Sequence, residues 1–122
     1  MEFGTHHICI KVADIEKSRQ FYEEALGFSA ETVIHHSPVI TSCFLISADR
    51  LLRMQLLHFP GCTADHTAYG HLGMTVEDIQ KGYAFHRNMG VISQEIVEQA
   101  HQFGYFIQDP DGYETEICQL KN

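Results

Sequence analysis

HICIKVADIEKSRQF, residues 7–21, returns as HLGMTVEDIQKGYAF at residues 71–85. His7 falls on His71, Val12 on Val76, Asp14 on Asp78, Ile15 on Ile79, Lys17 on Lys81 and Phe21 on Phe85. After a one-residue slip, Leu26, Gly27 and Phe28 fall on Met89, Gly90 and Val91. A pattern that recurs at half the chain length marks two modules built alike. In the first copy Ile8, Ile10 and Val12 alternate with His7, Cys9 and Lys11, the period of a strand. Asp14 and Asp78 then occupy N-cap positions, where a carboxylate accepts from the open N–H groups of a first helical turn. Gly27 and Gly90 fall where a left-handed residue ends a helix. Helices are predicted over about 15–26 and 79–89.

Three further runs follow each helix, at about 28–36, 40–48 and 51–58, then 91–98, 102–108 and 113–120. Ser37-Pro38, Ala48-Asp49-Arg50 and Asp109-Pro110-Asp111-Gly112 supply turn chemistry between them. Each module therefore reads strand, helix, strand, strand, strand, and the fold class is α+β. Module 1 covers about 5–59, a linker about 60–67, and module 2 about 68–121.

The chain has 122 residues, 44% of them apolar, and a formal net charge of −8. That length suits one domain with its own core. The negative balance opposes a nucleic-acid partner, whose phosphates are bound by Lys and Arg. No apolar run approaches a membrane span and no secretory leader is evident, so a cytoplasmic protein with a small-molecule partner is expected. Cys9, Cys43, Cys62 and Cys118 show no CxxC spacing and read as reduced, mostly buried thiols.

Alternation also predicts which side chains share a face. Met54 and Leu56 oppose Arg53 and Gln55; Leu72 and Met74 oppose His71 and Gly73; Thr115 and Ile117 oppose Glu114 and Glu116. His7, Gln55, His71 and Glu116 thus lie on faces turned away from the helices. Two imidazoles, an amide oxygen and a carboxylate form a mixed N/O set suited to a divalent transition metal. The repeat singles out His7 and His71 among nine histidines. His6, sharing the direction of Ile8 and Ile10, is read as scaffold, and His35-His36 as a loop pair.

HICIKVADIEKSRQFYEEALGF, TAYGHLGMTVEDI and DPDGYETEI together resemble the vicinal oxygen chelate superfamily, and within it glyoxalase I, a lactoylglutathione lyase. The resemblance implies tandem βαβββ modules forming a cup-shaped mixed sheet, and commonly a homodimer. It implies one divalent metal per site (Ni, Zn, Co or Mn) held by His7, Gln55, His71 and Glu116. It also implies that Glu116 is the base that moves a proton on a hemithioacetal, such as that of methylglyoxal and glutathione, through a metal-chelated ene-diolate.

Lys11, Arg53 and Phe59 are the expected substrate-binding residues. Gln55 stands where bacterial glyoxalase I has glutamate, and the resulting His, Gln, His, Glu set also resembles methylmalonyl-CoA epimerase. His7, His71 and Glu116 alone match the triad of an extradiol dioxygenase, which would hold iron, or of a fosfomycin-modifying transferase. A non-catalytic drug-binding member of the superfamily is the remaining alternative.

Overall fold

In a computed structural model describing residues 1–65 and 69–122, the chain divides into two units, Met1–Asp65 and His66–Asn122. The first contains β1 (Ile8–Lys11), α1 (Ile15–Leu26), β2 (Ser29–His35), β3 (Thr41–Ile46) and β4 (Arg53–His58). The second contains β5 (Leu72–Thr75), α2 (Ile79–Met89), β6 (Ile92–Glu98), β7 (Gln102–Gln108) and β8 (Glu114–Leu120). The strand order is β1-β4-β3-β2 in one sheet and β5-β8-β7-β6 in the other. The outer pairs β1/β4 and β5/β8 are parallel, and the remaining pairs are antiparallel. This is the α+β arrangement expected from the repeat. Residues 66–68, which include part of the expected linker and the start of TAYGH, lie outside the described residues.

The helix ends follow from local chemistry. Asp14 is extended and accepts from Lys17 N at 3.1 Å; Asp78 accepts from Gln80 N and Lys81 N at 3.0 and 3.1 Å. Gly27 and Gly90 close the helices at φ 71° and 74°, a region costly for any residue with a Cβ. Asp109 organises the turn before β8, its Oδ1 accepting from Asp111 N and Tyr113 N at 2.9 Å each.

Each helix covers one face of its own sheet. Under α1, Tyr22, Cys43, Leu45, Met54 and Leu56 are buried, together with Ile10 and Val12. Under α2, Ile79, Tyr105, Ile107 and Ile117 are buried. Gly82 admits Tyr105 to this packing, because a Cβ there would lie 2.9 Å from the Tyr105 hydroxyl. That hydroxyl shares a 2.7 Å hydrogen bond with His86 Nδ1, which satisfies two buried polar groups together.

The four cysteines are free; Cys43, Cys62 and Cys118 are buried and Cys9 is exposed. Among the described residues, no helix is long and apolar enough to cross a membrane.

Candidate metal centre

Both sheets offer a nitrogen and an oxygen donor from the same pair of strands. In the first unit Gln55 on β4 pairs in register with Cys9 on β1, and His7 immediately precedes β1. In the second, Glu116 on β8 pairs with Gly73 on β5, and His71 immediately precedes β5. The neighbouring antiparallel strand repeats the frame: Phe44 is opposite Gln55, and Phe106 is opposite Glu116. Each phenyl ring meets the histidine of its unit edge-on, with centroids 5.2 Å apart for His7–Phe44 and 5.1 Å for His71–Phe106. These contacts restrain rings that are otherwise exposed.

Glu116 is half-buried and well supported. Its Oε1 lies 3.7 Å from His71 Nε2, and its Oε2 accepts from the buried Gln102 amide at 3.3 Å. Gly104 makes room for that amide, since an added Cβ would come 3.3 Å from Gln102 Nε2 and 3.5 Å from Glu116 Oε2. Cys118 donates to Oε1 over 3.7 Å, and burial followed by the nearby Glu116 charge pushes its thiol pKa up, so it stays a donor. Across the parallel pair, Gly73 leaves open space.

Gln55 is held differently. Its Nε2 donates to Ser42 Oγ at 2.7 Å, and Ser42 Oγ lies 2.8 Å from His36 Nε2. Ser42 is fully buried although it lies on the Gln55 side of β3. Ser42, Gln102 and Gly104 were not singled out from the sequence, and His36 was read there as one of a loop pair. Their contacts cross from strand to strand, and alternation within one strand does not report such register.

Two sequence readings change. His6 is not scaffold: it precedes the first residue of β1, so strand alternation does not govern it. It is exposed, with Nδ1 2.7 Å from His7 Nδ1. Ile8, at the same frayed end, is also 40% exposed, while Ile10 and Val12 are buried as expected. The pair His35-His36 is not simply a loop: His35 ends β2 and contacts Thr41 Oγ1 at 3.2 Å, and His36 reaches Ser42.

The expected substrate-binding residues have distinct settings. Arg53 lines an open cavity of about 540 Å³ with His6, Glu31, Thr32, Ile34 and Phe44. Its Nε donates to Glu31 Oε1 at 2.6 Å, and hydrogen bonding from Arg53 holds the Glu31 carboxyl below the usual carboxylate range. Lys11 is exposed at the end of β1, and half-buried Phe59 follows β4, where its carbonyl accepts from Cys62 N.

The donors fit a divalent ion. Imidazole nitrogen with carboxylate and amide oxygen suits Zn, Ni, Co or Mn. No group of three or more His, Cys, Asp or Glu side chains gathers into a metal site among the described residues.

Known proteins are similar to this chain in sequence and fold. The chain is 29% identical to the lactoylglutathione lyase of Haemophilus influenzae over 124 residues, covering 95% of this chain and 92% of that one. It is 30% identical to the trypanothione-dependent glyoxalase I of Leishmania major, with TM-score 0.77 over 93% of this chain and 84% of that one. A glyoxylase/bleomycin resistance protein/dioxygenase domain from Frankia shares the fold at TM-score 0.81 and 18% identity, covering 100% and 95% of the two chains. With residues 4–117 matching the family model, the chain belongs to the Glyoxalase/Bleomycin resistance protein/Dioxygenase superfamily.

Proposed function

We propose that the protein is a metal-dependent lyase of the glyoxalase I kind, moving a proton on a hemithioacetal such as that of methylglyoxal and glutathione. The supporting observation is the repeated donor pair: His7 with Gln55, and His71 with Glu116, at matching register positions of the two sheets. Likeness to the lactoylglutathione lyase and glyoxalase I relatives adds weight. In this reading the four residues serve one divalent ion per site, in a homodimer. When bound, the ion supplies Lewis-acid polarisation of two neighbouring substrate oxygens.

The chain's own residues then move the proton. Glu116 takes it from the carbon beside the carbonyl and returns it to the neighbouring carbon, because it is the one carboxylate in the donor set. Gln102, donating to Oε2, keeps Oε1 on the His71 side. Arg53, which lines the first-unit cavity with Glu31, holds the thiol carrier together with Lys11 and Phe59.

Neutral Gln55 favours a second reading, an epimerase acting on an acyl thioester. Against it, β3 carries the sequence TSCFLI, with no second acid for such a reaction.

Metal-stripped protein, reloaded in turn with Ni, Co, Zn and Mn, tests the proposal by the rate of hemithioacetal isomerisation. Turnover with at least one metal, at about one ion per chain, is expected, and His71→Ala should abolish stoichiometric retention. Silence with all four ions would overturn the lyase reading.

A further inference from the structure

We infer that Ser42 and His36 are positioning residues that decide which end of the Gln55 amide is offered as a ligand. This rests on the metal reading above. A primary amide has two unlike ends: the nitrogen only donates, and the oxygen alone carries lone pairs for a cation. Turning the terminal bond by half a revolution exchanges them with little change in shape. An outward-facing NH2 would point two donors at a cation and forfeit the ligand.

The hydrogen bonds on β3 remove that ambiguity. Gln55 Nε2 donates to Ser42 Oγ at 2.7 Å. Ser42 Oγ accepts through one lone pair, so its own proton is available to His36 Nε2 at 2.8 Å. The assigned chain of donation runs from Gln55 N–H to Ser42 O–H to His36 Nε2, and requires the His36 tautomer protonated at Nδ1. Ser42 is fully buried, so water does not compete for its hydroxyl. His36 is placed by the tight turn after β2, where its N–H donates to Ile40 O at 2.9 Å and Ser37 Oγ accepts from Ile40 N at 3.1 Å. With the nitrogen end occupied, Gln55 Oε1 is the end left for the metal.

The second unit supports the assignment by omission. Ser42 sits opposite Leu57, and the corresponding place opposite Cys118 is Gly104. Glu116, anchored by Gln102, presents an oxygen whichever way its carboxylate is turned, so a partner that selects the oxygen end is needed by the amide alone.

Zinc affinity, measured by competition with a chromophoric chelator, tests this. Ser42→Ala is expected to weaken zinc binding by about 10- to 100-fold, the usual effect of losing a partner that orients a ligand. The same change in a Gln55→Glu background should cost less than about threefold, because a carboxylate presents oxygen either way. Equal losses in the two backgrounds would show that Ser42 acts through packing alone, and would overturn the inference. His36→Leu, at an exposed position, is the companion variant; it should weaken zinc binding in the wild-type background only, with an unchanged melting temperature. In metal-free protein, the Gln55 side-chain amide protons should exchange slowly and become fast in Ser42→Ala. Unprotected amide protons in wild type would overturn the inference independently of zinc. Wild-type protein that takes up no zinc, nickel, cobalt or manganese would overturn the metal reading itself. Zinc binding that Ser42→Ala leaves intact would overturn only the positioning role.

Discussion

The two units set the same frame around different chemistry. Gln55 and Glu116 each sit between an outer parallel strand and a phenylalanine-bearing antiparallel one, at corresponding register positions. One is a neutral amide anchored by Ser42 and His36; the other is a carboxylate anchored by Gln102 beside Gly104. The contrast extends two residues up each strand. At the irregularity between β2 and β3, Glu31 pairs with Arg53; at that between β6 and β7, Ser93 donates to Glu114 Oε2 at 2.8 Å. Backbone register repeats the geometry while the side chains differ: the second unit carries a carboxylate, and the first carries a neutral amide in a unit whose cavity is lined by charges of both signs.

The largest expected effect tests that division. Glu116→Gln should keep part of the metal yet lower kcat by about 10²- to 10⁴-fold, the range assigned to a positioned general base. Gln55→Glu should leave turnover and metal binding in place, because it adds a carboxylate without removing one. Steady-state kinetics and metal analysis on the two variants check this. If Gln55→Glu were the silent enzyme and Glu116→Gln the active one, the roles of the halves would be reversed.

A smaller effect lies in the cores. The repeat aligns Ser18 on α1 with Gly82 on α2, and the strand register aligns Cys43 on β3 with Tyr105 on β7, whose hydroxyl lies against Gly82. The tyrosine leaves no room for a side chain at the helix position. Gly82→Ala would push a Cβ to 2.9 Å from the Tyr105 hydroxyl and 3.3 Å from Val76 Cγ2. Overpacking of this kind costs about 1–3 kcal/mol, set against the helix propensity that alanine gains. Denaturant unfolding should therefore show a net loss. Unchanged or increased stability would mean that the tyrosine moves aside freely.

The smallest effect concerns acid. Arg53 lowers the Glu31 pKa, so the pair's contribution is present above the ordinary carboxylate pKa and is lost as pH falls through the lowered folded value. Partial exposure keeps it small. Glu31→Gln should flatten the acid limb of stability against pH, measured by denaturant titration at several pH values. An acid limb as steep as wild type would assign it to other carboxylates.

Much of this architecture was legible in advance. The aspartate caps and terminal glycines bounded both helices at 15–26 and 79–89, because capping is local chemistry. Strands came within one or two residues of their observed ends, and Gln55 and Glu116 fell on the faces expected from alternation. The supports were not legible. Ser42 looks like any strand serine until β3 is laid against β4, and Gln102 reaches Glu116 only because Gly104 lacks a side chain. His6 was misread because a strand's period says nothing about the residue before the strand starts.

By itself the amino-acid order determined the repeat, its caps and turns, and the donor types carried at matching positions, since these depend on neighbours along the chain. Only the tertiary structure decided which atoms of those donors are occupied: the Gln55 nitrogen by Ser42 and one Glu116 oxygen by Gln102. Hydrogen bonds across strands depend on register and on buried space, and both come into being only when the sheets are assembled.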